Sequence, residues 1–123
     1  MVRTFTKDDY PEILYWHSKQ GTNPVPLEDL PSFGLIEPGV AAGFVVLTDA
    51  RYGILEFYIS NPDSRSVDRD KALDAITVGL IDYGKKFGIK YFKCDTNIQS
   101  VGLRAIKHGF AFMGKQAFYF MKG

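Results

Sequence analysis

The chain has 123 residues, a net charge of +1 and a charged fraction of 24%, the profile of one ordinary globular domain with a single core. So even a charge gives no field for holding nucleic acid or an anionic membrane, and no apolar run reaches the length of a membrane span. Cys94 is the one cysteine; with two histidines it forms neither a disulfide nor a cluster of metal-ligand spacing. The N-terminal residues lack a signal-peptide core, so a cytoplasmic, metal-free protein is expected.

Val2–Phe5 is a short strand candidate. Asp9, Pro11 and Glu12 then read as a helix start, with Asp9 as cap, Pro11 in the first turn and Glu12 reaching back. This helix turns Ile13, Leu14 and Trp16 to the core and ends near Gln20–Gly21. His17 on it is either a partly exposed helix histidine or a substrate contact. Residues 21–33 hold three of the six prolines and predict a loop with one helical turn at 27–30, either functional or loosely ordered. A meander of three strands follows, over Phe33–Glu37, Ala42–Thr48 and Arg51–Ser60, joined by turns at Pro38–Gly39 and Asp49–Gly53. Alternation in the last strand sets Ile54, Glu56, Tyr58 and Ser60 on one face and Leu55, Phe57 and Ile59 on the core face. Glu56 then points either to water or into a cleft.

Asn61-Pro62-Asp63 stops that strand, because proline has no ladder N–H and restricts the residue before it. Ser64–Asp70 leads into a long helix whose apolar residues Leu73, Ile76, Leu80, Tyr83 and Phe87 recur three and four apart. Gly79 and Gly84 inside it predict close packing on a sheet. A strand at Tyr91–Thr96 completes a parallel βαβ unit, and such units bind ligands beyond the carboxyl ends of their strands. Asp95 and Asn97 lie there, although structural capping accounts for them equally well. Cys94, within the strand, reads as a buried inert thiol. A short helix capped by Asn97 or Ser100 and closed by Gly109 comes next, and the tail reads as two strands around Gly114–Lys115.

This order of elements, with Asn97 followed by a short helix and Gly109-Phe110, resembles the GNAT superfamily of acetyl-CoA-dependent N-acetyltransferases over nearly the whole chain. The chain is compact for that family, in the manner of phage-type members. The resemblance implies an α+β fold (mixed α/β) in a single domain. Its central sheet would be mixed, mostly antiparallel, with 6–7 strands, helices on both faces and one parallel βαβ unit. It implies acetyl-CoA as cofactor, with the pantetheine arm pairing along Tyr58, Ile59 and Ser60. The pyrophosphate would sit on the turn after Pro62, which here reads Arg65-Ser66-Val67-Asp68-Arg69-Asp70. Family members carry small residues, chiefly glycine, where this chain has Asp68 and Asp70. Each aspartate weakens phosphate binding about tenfold by repulsion, and Arg65, Arg69 and Lys71 offset this in part. Both aspartates also suit a helix N-terminus.

Glu56 stands where the family often has a general base. The tyrosine that many members use as general acid is replaced by Ala105, leaving Ser100, Tyr58 or Tyr119 as substitutes. Two functions follow from the resemblance. One is acetyl transfer to an amine on a small molecule or a protein, the acceptor entering past residues 21–33. The other is a GNAT-fold binding module that has lost acetyl-CoA. Neither nucleic acid nor membrane is an expected partner, and a homodimer stays open.

Overall fold

The computed structural model describes residues 1–96, 99–114 and 121. Its elements run β1 (Arg3–Thr4), a 3-10 turn (Lys7–Asp9), α1 (Tyr10–Gln20), a second 3-10 turn (Leu27–Asp29), β2 (Phe33–Glu37), β3 (Ala41–Leu47), β4 (Tyr52–Ser60), α2 (Ser66–Lys86), β5 (Tyr91–Lys93) and α3 (Gln99–Lys107). The five strands form one sheet in the order β1-β2-β3-β4-β5. Neighbours are antiparallel except β4 and β5, which are parallel and joined through α2. This is the expected α+β architecture with its βαβ unit. Five strands stand among the described residues where six to seven were expected. Residues 110–114 carry no strand, and the rest of the predicted hairpin lies outside the described residues. Among those residues no helix is long and apolar enough to cross a membrane.

Apolar residues at alternate strand positions give the sheet two buried faces, and one helix covers each. Ile13 and Trp16 of α1 pack on Ile36, Ala42, Phe44 and Ile59. Ala72, Ile76 and Leu80 of α2 pack on Ala41, Val45 and Leu55. The close approach foreseen at Gly79 is real, since a Cβ there would lie 2.5 Å from Leu35 Cδ1.

The entry to α1 differs from the sequence reading. The capping arrangement sits one turn earlier: Asp9 accepts the Thr6 N–H at 2.8 Å and pairs with Arg3 at 2.7 Å. Glu12, freed from capping, accepts the Gly39 N–H at 3.0 Å and ties α1 to the β2–β3 turn. At the other end Gly21 closes the helix in the left-handed conformation, with φ 69°, as its sequence position predicts.

Candidate functional site

The site is built around an irregularity in β4 that alternation could not reveal. Ala42 pairs with Ile59 and Phe44 with Glu56, so Phe57 and Tyr58 together oppose the single residue Gly43. This is a β-bulge. Phe57 takes up the extra residue with φ 57°, a left-handed conformation that a bulky side chain rarely adopts. The bulge inverts the faces beyond it. Leu55 and Tyr58 belong to the α2 side, while Phe57 and Ile59 belong to the α1 side. Glu56 shares the α1 face with its register partner Phe44. The predicted grouping of Leu55 with Phe57 and Ile59 is therefore corrected.

The second irregularity is where β4 and β5 part. Their parallel pairing covers only Tyr52–Tyr91, Gly53–Phe92 and Ile54–Lys93. The predicted strand to Thr96 ends at Lys93, and Leu55–Ser60 run on along β4 without β5. The divergence opens a slot of about 380 Å³, lined by Leu55–Ser60 on one side, Cys94–Thr96 on the other, Val101, Arg104 and Ala105 of α3, and His108 directly after that helix. It lies at the carboxyl ends of two parallel strands, the expected place for a ligand. Gln20 reaches the slot from the end of α1 and donates to the Ser60 carbonyl at 2.6 Å. A ligand pairing with that carbonyl would have to displace it.

Three acidic groups of the slot, a carboxyl, a thiol and a phenol, are displaced from their ordinary behaviour. Burial, helped by the nearby Asp95 charge and opposed by Lys93, raises the Glu56 carboxyl, which makes it a better proton acceptor near neutrality. Burial raises the Cys94 thiol, with Asp95 adding to the effect. Burial also pushes the Tyr58 hydroxyl up to about 12. Thr77 Oγ1 donates to the Leu73 carbonyl at 2.8 Å, so its single proton is spent, and Tyr58 is the donor in their 2.9 Å bond. The Tyr58 ring occupies space left by Gly43, where a Cβ would lie 2.9 Å from it.

A second, smaller cavity of about 100 Å³ lies on the α1 side beneath the loop that follows that helix. Ile13, Val25, Leu30, Phe44 and Phe57 give it an apolar wall, and His17, Asn23 and Tyr58 complete the lining. Tyr10 pins the loop over it by donating to the Val25 carbonyl at 2.6 Å. His17 is a partly exposed residue of α1 that also lines this cavity. Its Nδ1 is 2.7 Å from Thr22 Oγ1, and burial lowers its tendency to protonate.

At the start of α2 the residues of the expected phosphate turn are engaged with one another. Arg65 is the N-cap, and Ser66 and the exposed Val67 open the helix. Arg65 donates to both oxygens of Asp68, at 2.9 and 3.2 Å. Arg69 turns back to the carbonyls of Pro62 and Ser64. Asp70 accepts from Arg104 of α3 at 2.6 Å. Ser100 is exposed in the first turn of α3 and is not its cap, since that helix begins at Gln99. Asn97 and Tyr119 lie outside the described residues.

One cluster escaped the sequence reading. Asp74 of α2 accepts from Arg104 at 2.8 Å, Lys107 at 2.7 Å and His108 at 2.9 Å. With Asp70 this clasps α3 to α2 and holds Arg104 and His108 in the wall of the slot. The signal existed: Asp70 and Asp74 are four apart on one face of α2, and Arg104 and His108 are four apart across the end of α3, where the His108 N–H still donates to the Arg104 carbonyl at 3.1 Å.

No family model matches the sequence, and no curated protein matches it. Solved structures do match in fold. A glucosamine-6-phosphate N-acetyltransferase from Arabidopsis thaliana superposes with a TM-score of 0.76 at 14% identity, covering 99% of this chain and 98% of its own. A transcriptional regulator from Bacillus halodurans C-125 gives 0.75 at 14% identity, over 98% and 99% of the two chains. An aminoglycoside N-acetyltransferase, AAC(6')-Iy, in complex with CoA gives 0.66 at 15% identity over 100% of both. With its sheet, its covering helices and its parted parallel strands, the chain has the fold of the GNAT superfamily.

Proposed function

We propose that this protein is an acyl-CoA N-acyltransferase that moves an acetyl group from acetyl-CoA to a primary amine. The observation that carries the reading is the parting of β4 and β5 after Ile54–Lys93, which gives a slot of about 380 Å³ with Glu56 in its lining. The complex of one structural neighbour with CoA supports it. The residues present fit such a cofactor along most of its length. The β4 edge from Leu55 to Ser60 suits the pantetheine arm. The N-terminus of the 21-residue helix α2 offers first-turn N–H groups and the positive end of its dipole to a phosphate.

Acetyl-CoA would supply the acetyl group as a thioester; the acceptor in its ammonium form gives up two protons on becoming an amide, and one of them would leave with the CoA thiol. Glu56 takes the other proton and passes it to water, a role suited to its raised carboxyl. Backbone along the bulge orients the slot, because residues on either side of Phe57 face opposite ways. Ala105 has no proton to give, and the Tyr58 proton is engaged by Thr77. The general acid is therefore assigned to neither.

A second reading, a GNAT-fold binding module that does not use acetyl-CoA, draws on the internal pairing of Arg65 with Asp68 and of Arg69 with the turn. Calorimetry with acetyl-CoA separates the two. The acyltransferase reading expects micromolar binding by the native chain. Asp68→Asn should tighten it about tenfold, by freeing Arg65 and removing a repulsive charge, and salt should weaken both. Absence of binding by both proteins would overturn the reading in favour of the module.

A further inference from the structure

The slot is absorbed by the function above, whereas the smaller cavity under the 21–33 loop is not. Among the described residues its wall carries no carboxylate, lysine or arginine, and His17 is biased to its neutral form by burial. A phosphate or carboxylate entering there would lose its water and find no ion-pair partner, which is strongly unfavourable. Size restricts the occupant further. An apolar cavity of about 150 Å³ accepts benzene, so one of about 100 Å³ accommodates a smaller, compact group of about four carbons.

Position supplies the rest. Phe57 and Tyr58 border both the cavity and the slot. Phe44, in the cavity wall, is the register partner of Glu56 in the slot lining. A group seated in the cavity therefore carries its next substituent toward the boundary where Glu56 lies. We propose that this cavity is the acceptor subsite, and that the acceptor is a primary amine bearing a short branched aliphatic group, with no anionic group on the part that enters. The role given to Glu56 rests on the acetyl-transfer reading; the fit of the aliphatic group to the cavity does not.

Isobutylamine, ethanolamine, phenethylamine and glucosamine 6-phosphate are the probes, used with the full chain. Turnover is followed by thiol release from acetyl-CoA, and amine binding by saturation transfer from protein methyl groups. Isobutylamine should exceed ethanolamine in kcat/KM by about tenfold or more, the usual value of a well-placed methyl or methylene, and should exceed both larger amines. Val25→Phe, which fills the cavity from the loop, should raise KM for isobutylamine at least tenfold and leave acetyl-CoA affinity unchanged. Leu30→Phe serves as a second filler if the first disturbs the fold. Equal use of isobutylamine and ethanolamine, preference for the phosphorylated amine, or indifference to both fillers would overturn the proposal. If acetyl-CoA does not bind, the acetyl-transfer reading has failed by itself. Saturation transfer to isobutylamine then still decides the cavity: retained in the native chain and lost in the filled variants, it supports the proposed occupant, and absent from the native chain, it overturns it.

Discussion

Replacing Asp74 by asparagine tests whether the contact between α2 and α3 holds the wall of the slot. Burial alone would raise the Asp74 carboxyl, but hydrogen bonds from Lys107, His108 and Arg104 outweigh it and hold it well below the ordinary 3.8. An ionised carboxylate only accepts, so the His108 nitrogen facing it, Nε2, carries a proton. The three partners differ in worth. The Lys107 side chain is 66% exposed and contributes a few tenths of a kcal/mol at most. Arg104 and His108, at 22% and 11%, are better shielded, and each bond is worth about 1 kcal/mol net. Asp70 still holds Arg104 in the variant, which limits the loss. Asp74→Asn should therefore lower stability by about 1–2 kcal/mol, or Tm by about 4–8 °C for a chain of this size. Urea denaturation followed by the fluorescence of Trp16, 1% exposed in the core, measures this. Because the carboxyl titrates lower in the folded chain than in the unfolded one, the clasp stabilises fully above about pH 4 and its contribution drains away as the pH falls further. The native chain and the variant should thus converge in stability under acid. A gap under about 0.5 kcal/mol at pH 7, or one that does not shrink below pH 4, would refute the reasoning.

Tyr58 gives a second test. Of the seven tyrosines, it should ionise near 12 in an ultraviolet titration, and Tyr58→Phe should remove that late step. Since its hydroxyl titrates higher folded than unfolded, its contribution to stability is present below pH 10 and is lost as the pH rises toward 12. Cys94 gives a third: its raised thiol should react with iodoacetamide several-fold more slowly than a free cysteine at pH 7.5. Acetyl-CoA should slow the reaction further, because Cys94 lines the slot. Labelling unaffected by acetyl-CoA at saturation would place the cofactor elsewhere.

Periodicity sufficed for the framework. The recurrence of Leu73, Ile76 and Leu80 marks the face of α2 that packs on the sheet, and the glycine and proline punctuation marks the turns of the meander. It failed at Phe57, because strict alternation assumes one residue opposite one residue, and nothing in the local sequence announces that Gly43 will face two. It failed again at Cys94–Thr96, where composition suits a strand but the chain leaves the sheet. Both failures fall in the lining of the slot. That is where a local departure from regular pairing opens room for a ligand, so the site is hardest to read where it matters most. Glu56 was legible as a group pointing either to water or into a cleft, and it lines the slot. The Asp74 cluster needed partners 30 to 34 residues apart in sequence, a distance at which charge spacing suggests a face but not which face it meets.

The two aspartates of the phosphate turn follow from the same geometry. A glycine at the position of Asp70 would leave Arg104 with the Asp74 carboxylate and the main-chain carbonyl of that position, and a glycine at Asp68 would remove the carboxylate that Arg65 pairs with. With aspartate at both positions, each arginine has a short ion-pair contact, at 2.9 Å for Arg65 and 2.6 Å for Arg104. The Arg65 pair is exposed and contributes little to stability, so its chief consequence is electrostatic: it neutralises an arginine of the turn proposed to hold a phosphate. The Asp70 pair is half sheltered by Arg104 and helps to dock α3. The two substitutions are therefore not equivalent. Asp68 bears on the affinity of the turn for an anion, whereas Asp70 bears on the wall of the slot, and only a change at Asp68 should improve cofactor binding without loosening α3.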